Sequence, residues 1–141
     1  MLTELQSRLQ VLVQAEPLLV GRPVLVEDKG NLVSELETAL AEQSLAVVIA
    51  PVSGDVQAGA LPRRAAWVES FEVVIHRGLV DGADVPSTVA VLDALRDRLN
   101  GAPIDATKAI GPVFATTRHE LRENGDGTYA RVLTVTTKTS V

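Results

Sequence analysis

Ala66-Trp-Val-Glu-Ser-Phe-Glu-Val-Val-Ile-His-Arg77 holds the single tryptophan of the chain and one of its two phenylalanines. Phe71, Val73 and Ile75 share one parity and are apolar, with Glu69 upstream on the same parity. Ser70, Glu72, Val74 and His76 make a mixed second face. Alternation with period two, carried by β-branched and aromatic residues, predicts a long strand with one face on a core. An unpatterned stretch precedes it and glycines punctuate the turn after it, so it is expected in the middle of a sheet.

Around that strand the chain is read in order. Leu2, Leu5, Leu9 and Leu12 recur at helical spacing, with polar residues between them, and predict an amphipathic helix over 2–15. Glu16-Pro17 ends it, because a residue before proline avoids the helical region. Pro23-Val-Leu-Val-Glu27 predicts a short strand, and Asp28-Lys-Gly-Asn31 a turn whose Asn31 caps a second helix. Leu32, Leu36, Ala39 and Leu40 form the stripe of that helix, which ends near Gln43. Leu45-Ala-Val-Val-Ile-Ala50 reads as a strand buried on both faces and stopped by Pro51. Residues 51–65 carry two glycines, two prolines and no periodicity, and are expected to be a long loop or, over Val52–Leu61, a projecting β-arm.

After the central strand, residues 78–82 turn the chain and Asp84 or Ser87 caps a third helix, with Pro86 in its first turn. Val91, Leu95 and Leu99 stripe that helix, and Asn100-Gly101 followed by Pro103 ends it. Two Thr-rich runs, Val113–Arg122 and Thr128–Lys138, flank an Asn-Gly-Asp-Gly turn and predict a hairpin. The expected fold is α+β: one domain, 1–141, with a mainly antiparallel or mixed sheet of four to five strands. About three helices pack on it, expected on one face.

Composition narrows the function. A chain of 141 residues with 46% apolar and 22% charged residues can bury a core. Aromatics are 3%, so the core is aliphatic, and the absence of cysteine excludes disulfides, thiolate metal sites and thiol chemistry. A net charge of -5 disfavours wrapping nucleic acid. Met-Leu-Thr-Glu-Leu-Gln does not open a signal peptide, and the apolar runs are shorter than the roughly 20 residues a spanning helix needs, so no membrane association is expected.

No stretch carries a catalytic signature. His76 and His119 are the only histidines and fall in separate predicted strands. Ser53 and Ser70 lack a nucleophile-elbow context. Gly54-Asp-Val-Gln-Ala-Gly59 has neither the close glycines of a dinucleotide site nor the Gly-Lys-Ser/Thr of a phosphate loop. Asn124-Gly-Asp126-Gly-Thr-Tyr is explained by turn chemistry, since a calcium loop would need a first ligand and a closing Glu. Arg63-Arg64 and the Arg118/Arg122 pair are the local basic clusters, and Glu120 dilutes the second. No catalytic, cofactor or metal site is therefore expected, and the chain is read as non-enzymatic.

The order of these elements resembles a known family. The leucine-striped first helix leads into Pro-Val-Leu-Val-Glu-Asp and the Gly-Asn-Leu-Val-Ser-Glu-Leu-Glu-Thr-Ala-Leu helix. An apolar strand ends in Pro51, and a long loop feeds Trp-Val-Glu-Ser-Phe-Glu-Val-Val-Ile. A helix with Leu92, Leu95 and Leu99 and a hairpin ending in Val-Leu-Thr-Val-Thr complete the pattern. Over nearly its whole length the chain resembles the tail-terminator and minor tail (tail-completion) proteins of tailed bacteriophages and prophages. The resemblance implies a virion protein of the tail or neck, assembled in the host cytoplasm. It implies a homo-oligomeric ring, typically a hexamer, that caps the tail tube, meets a head-completion or connector protein and lets DNA through its lumen without specific binding. On it, Arg63, Arg64, Trp67, Asn124 and Asp126 become candidate contacts to a neighbouring subunit or the tail tube, through the 51–65 loop and the 123–127 hairpin tip. The alternative is a small cytoplasmic ligand-binding or adaptor domain without catalysis.

Overall fold

A computed structural model describes residues 2–27, 32–56, 66–78, 84–108, 110–125 and 128–140. The strand that opens the sequence reading, β3 (Ala66–Arg77), is the centre of a five-stranded sheet. On one side it pairs antiparallel with β2 (Leu45–Val56), which pairs parallel with the short β1 (Val24–Val26). On the other it pairs antiparallel with β5 (Tyr129–Ser140), which in turn pairs with β4 (Phe114–Glu123). The spatial order is β1-β2-β3-β5-β4, a mixed sheet with one parallel pair. Three α-helices accompany it: α1 (Leu2–Gln14), α2 (Leu32–Gln43) and α3 (Thr88–Leu99).

The predicted parity holds. Phe71, Val73 and Ile75 are fully buried, beside Val47 and Ile49 of β2 and Leu133 and Val135 of β5. Leu5, Leu9 and Val13 of α1 and Val91, Leu92, Leu95 and Leu99 of α3 join them in one core cluster. The stripe of α1 is rotated from the predicted one: Leu2 is exposed, and Gln6 and Val13 are buried instead. Gln6 is buried because it has work at the sheet edge. Its side-chain amide donates to the carbonyls of Glu27 (3.2 Å) and Ile49 (3.1 Å), and Gln10 donates to Val24 (3.0 Å). An edge strand as short as β1 leaves carbonyls open, and α1 closes them. The Ile49 carbonyl also accepts from the Glu27 amide at 3.0 Å, so loss of Gln6 leaves it one bond. Gln6→Ala is therefore expected to lower the unfolding free energy by only about 1 kcal/mol, seen as a lower urea midpoint at unchanged slope.

The expectation that all helices lie on one face is corrected. Helix α2 adds nothing to the core cluster; it packs on β1 and β2, where Leu25, Ala46 and Val48 have the opposite parity to Val24, Val47 and Ile49. Ala46 and Val48 are buried beneath it, which is why Leu45–Ile49 reads as apolar on both faces. Of the predicted α2 stripe only Ala39 is buried, so this helix is the least deeply packed of the three.

Pro51 does not stop β2. The Val47 amide and the Ile49 carbonyl point toward β1. Pro51, two residues further on the same side, points past the end of β1, where its missing N–H costs no ladder bond. A register shift between Pro51 and Ser53 absorbs Val52, and the strand continues to Val56 opposite Trp67. Residues 51–56 of the predicted loop are thus strand, and 57–65 lie outside the described residues. The predicted Asn31 cap also lies outside them, as do residues 79–82 of the predicted turn.

Helix α3 is capped at both ends from the sequence signals. The Ser87 hydroxyl, not Asp84, accepts from the Ala90 amide at 3.1 Å, and Pro86 precedes the cap instead of sitting in the first turn. Gly101 takes φ +82°, the left-handed conformation glycine adopts freely, and its amide reaches the Phe114 carbonyl at 2.8 Å. That bond ties the end of α3 to the start of β4. Arg98 pairs with the largely buried Glu16 at 2.9 Å and joins α3 to the chain leaving α1.

Candidate interaction surfaces

The residues singled out from the sequence do not converge. Trp67 sits at one end of the strands, opposite Val56 and Thr139, and is 37% exposed. Asn124 sits at the other end, in the β4–β5 connection; its backbone amide donates to the Thr128 carbonyl at 2.9 Å and its side chain to the Thr128 hydroxyl at 3.1 Å. Both bonds close the turn, as turn chemistry predicts. Arg63, Arg64 and Asp126 lie outside the described residues.

The histidines are also separated. His76 aligns with Ala46 and Ala130, on the α2 face of the sheet. His119 aligns with Leu133 on the core parity of β4 and is exposed. Among the described residues no group of three or more His, Cys, Asp or Glu side chains could hold a metal ion.

The Arg118/Arg122 pair is neutralised within the chain. Arg122 makes a two-pronged contact with Glu72, at 3.1 and 2.6 Å, and a further bond to Glu120 at 2.6 Å. Arg118 reaches Glu120 at 3.3 Å. Glu72 and then Glu120 raise the Arg122 guanidinium above its ordinary value, so it stays charged. The pair spans from β3 to β4 across β5, over the buried Ala130 and Val132, on a face no described helix covers at that point. Its arginine stem shelters apolar strand surface as much as its charge binds. This cluster is a structural cover for the sheet, not a basic patch.

Asp105 lies in the connection from α3 to β4. It accepts from the Thr107 hydroxyl at 2.7 Å and the Thr107 amide at 2.9 Å. These two bonds, with Lys108 and Arg8 nearby, hold its carboxyl below the usual carboxylate value. A depressed folded-state value means the contribution is present above the unfolded value and is lost as pH falls through the folded one. A titration of the Thr107 amide shift is expected to have its midpoint below that of an unperturbed aspartate; a midpoint at or above it contradicts the turn.

Two features were not legible from sequence. One is a groove of about 500 Å³ between α2 and β1, lined among others by Leu25, Glu35, Ala39 and Glu42. Arg22 also lines it, and its guanidinium donates to the carbonyls of Gln43 and Asp84. The other is an exposed pair on the β4–β5 hairpin, Leu121 and Tyr129, each 53% exposed. Tyr129 shares the parity of the buried Leu133 and Val135, and that parity alone would place it in the core.

With the geometry in view, the chain can be set beside known proteins. No family model and no curated protein matches it. A chain of the solved "Virion of native gene transfer agent (GTA) particle" shares its fold. The TM-score is 0.55 and the identity 16%, across 96% of this chain and 92% of that chain. At that identity the likeness is one of fold, over nearly the full length of both.

Proposed function

We propose that this chain is a structural virion protein, and within that class a tail terminator: a subunit of a ring that caps a tail tube and joins it to a head. The observation that carries the reading is the full-length likeness of fold to a chain of a gene transfer agent virion. The sequence pattern that resembles tail-terminator proteins points the same way. An acidic ring suits passage of DNA, because a wall of net negative charge does not retain the phosphate backbone.

Size-exclusion chromatography with light scattering tests the ring. The expected result is a closed species several times the 15.0 kDa chain mass, six times if the stoichiometry is that of a hexamer. A monomer at high concentration, still monomeric with tail-tube protein added, contradicts the reading. The groove between α2 and β1 favours a second reading, a small ligand-binding domain. A thermal-shift screen separates the two: a small molecule that raises the melting temperature of a strict monomer supports the second.

A further inference from the structure

The two edges of the sheet end differently. The β1 edge is short, and α1 bonds to it through Gln10. The β4 edge is long, and only its first half is closed. The Phe114 amide and carbonyl turn away from β5 to Ala102 and Gly101, at 2.8 Å each, and the Thr116 amide donates to the Asn100 side chain at 3.2 Å. The Asn124 amide, at the far end, points the other way, to Thr128 on the β5 side. Backbone groups alternate along a strand, so Arg122, Glu120 and Arg118 bond inward to β5, while Glu123, Leu121 and His119 present their amides and carbonyls outward. These outward groups have no hydrogen bond among the described residues. Residues 117–123 are exposed apart from the half-buried Glu120. An open edge of this kind is a template for another strand.

The order of charges along the edge selects the strand that fits. About Leu121 the edge is its own complement: Glu120 and Arg122 stand one residue to either side, and His119 and Glu123 two. A second copy laid antiparallel, with Leu121 opposite Leu121, sets each Glu120 against an Arg122 and each His119 against a Glu123. A shift by two residues in one direction sets Glu120 against Glu120 and Arg118 against Arg122; in the other it sets Arg122 against Arg122. Like charges directly opposite destabilise a pair of strands. A further shift runs into Asn100–Ala102 or sets Glu123 against Glu123. Behind the edge the charges balance, with Arg118 and Arg122 beside Glu72 and Glu120 on one face and Arg131 beside Glu123 on the other. No net charge on either face opposes the approach of a like copy.

We propose that two copies of this chain pair antiparallel through β4, on a two-fold axis at Leu121. His119, Leu121 and Glu123 of one copy exchange backbone bonds with Glu123, Leu121 and His119 of the other, and the sheet runs on through both. Leu121, 53% exposed in the single chain, covers its own counterpart. The contact is isologous: two copies satisfy it and it does not propagate. It therefore goes beyond the ring reading, because it is not the contact that closes a ring of six.

The chain has no cysteine, so single cysteines read the register directly. Leu121→Cys, His119→Cys and Glu123→Cys on the edge, and Val20→Cys at a 76% exposed site outside it, are oxidised at equal concentration and resolved on a non-reducing gel. Across the two-fold axis the Cα atoms at 121 are about 5.5 Å apart, within disulfide reach. Two copies of position 119, or of 123, are roughly 13 Å apart along the strands. Leu121→Cys is expected to form the covalent dimer at least 10-fold faster than the other three. Rates that do not single out position 121 overturn the proposal, and rings formed by the same chain then leave the ring reading standing. Hydrogen exchange of the unaltered chain serves if a variant does not fold. At high concentration the amides of His119, Leu121 and Glu123 are expected to be as protected as the inward amides of Glu120 and Arg122; exchange at free-peptide rates overturns the pairing. Protection that appears only when tail-tube protein is added gives the edge to that protein and overturns it too.

Discussion

Replacing Phe71 by alanine is expected to lower the unfolding free energy by about 3–5 kcal/mol. Phe71 is completely buried and is one of only two phenylalanines in the chain. It faces Pro51 on one neighbouring strand and Val135 on the other, in the row where β2 begins its register shift. With so few aromatics, no adjacent side chain has the volume to fill the void, so the cost combines lost transfer energy and an uncollapsed cavity. A loss of that size is a large part of the roughly 5–15 kcal/mol that holds a domain together. Urea unfolding followed by circular dichroism measures it; a midpoint unchanged from the parent contradicts the central place of β3. Trp67, on the same strand and the same parity but at its end, gives the contrast. Trp67→Ala is expected to cost only roughly 0.5–1 kcal/mol, because more than a third of the side chain is already in water.

A second large effect is expected at Gly78. A methyl group there would lie 2.8 Å from the Leu40 carbonyl oxygen and 3.2 Å from the Ser44 Cα, both backbone atoms that cannot rotate aside. The Gly78 amide also donates to the Ser44 carbonyl at 2.8 Å, which locks the end of β3 to the turn between α2 and β2. Ser44 holds that turn at φ 60°, a left-handed conformation uncommon for a side-chain-bearing residue. Gly78→Ala must therefore push α2 outward or break the lock, at about 1–3 kcal/mol. Urea unfolding is expected to show a lower midpoint; a variant as stable as the parent contradicts the close approach.

Much of the fold was legible because its signals are local. The alternation of Phe71, Val73 and Ile75, the Ser87 cap and the Asn100-Gly101 stop each need only a few neighbouring residues. What could not be read depends on distant partners. Pro51 looks like a terminator until β1 is seen to end beside it, leaving the proline on an open edge. Gln6 looks like a solvent-facing helix residue until the Glu27 and Ile49 carbonyls are found within its reach. Helix α2 resembles a core helix by its leucine spacing, but it covers the far face, which period alone does not assign. The interaction surfaces were the least legible. Tyr129 has the parity of a core residue, yet it is 53% exposed. Trp67 and Asn124 fall at opposite ends of the strands, so no single surface joins them.

The proposed role is that of a closed ring that ends a growing tail tube. The most direct measurement is negative-stain imaging of the cognate tube protein polymerised with and without this chain. Rings of one diameter are expected from the chain alone, and tubes of bounded length bearing a cap when it is present. Tubes that grow to the same unbounded lengths in both samples, with no rings from the chain alone, contradict it.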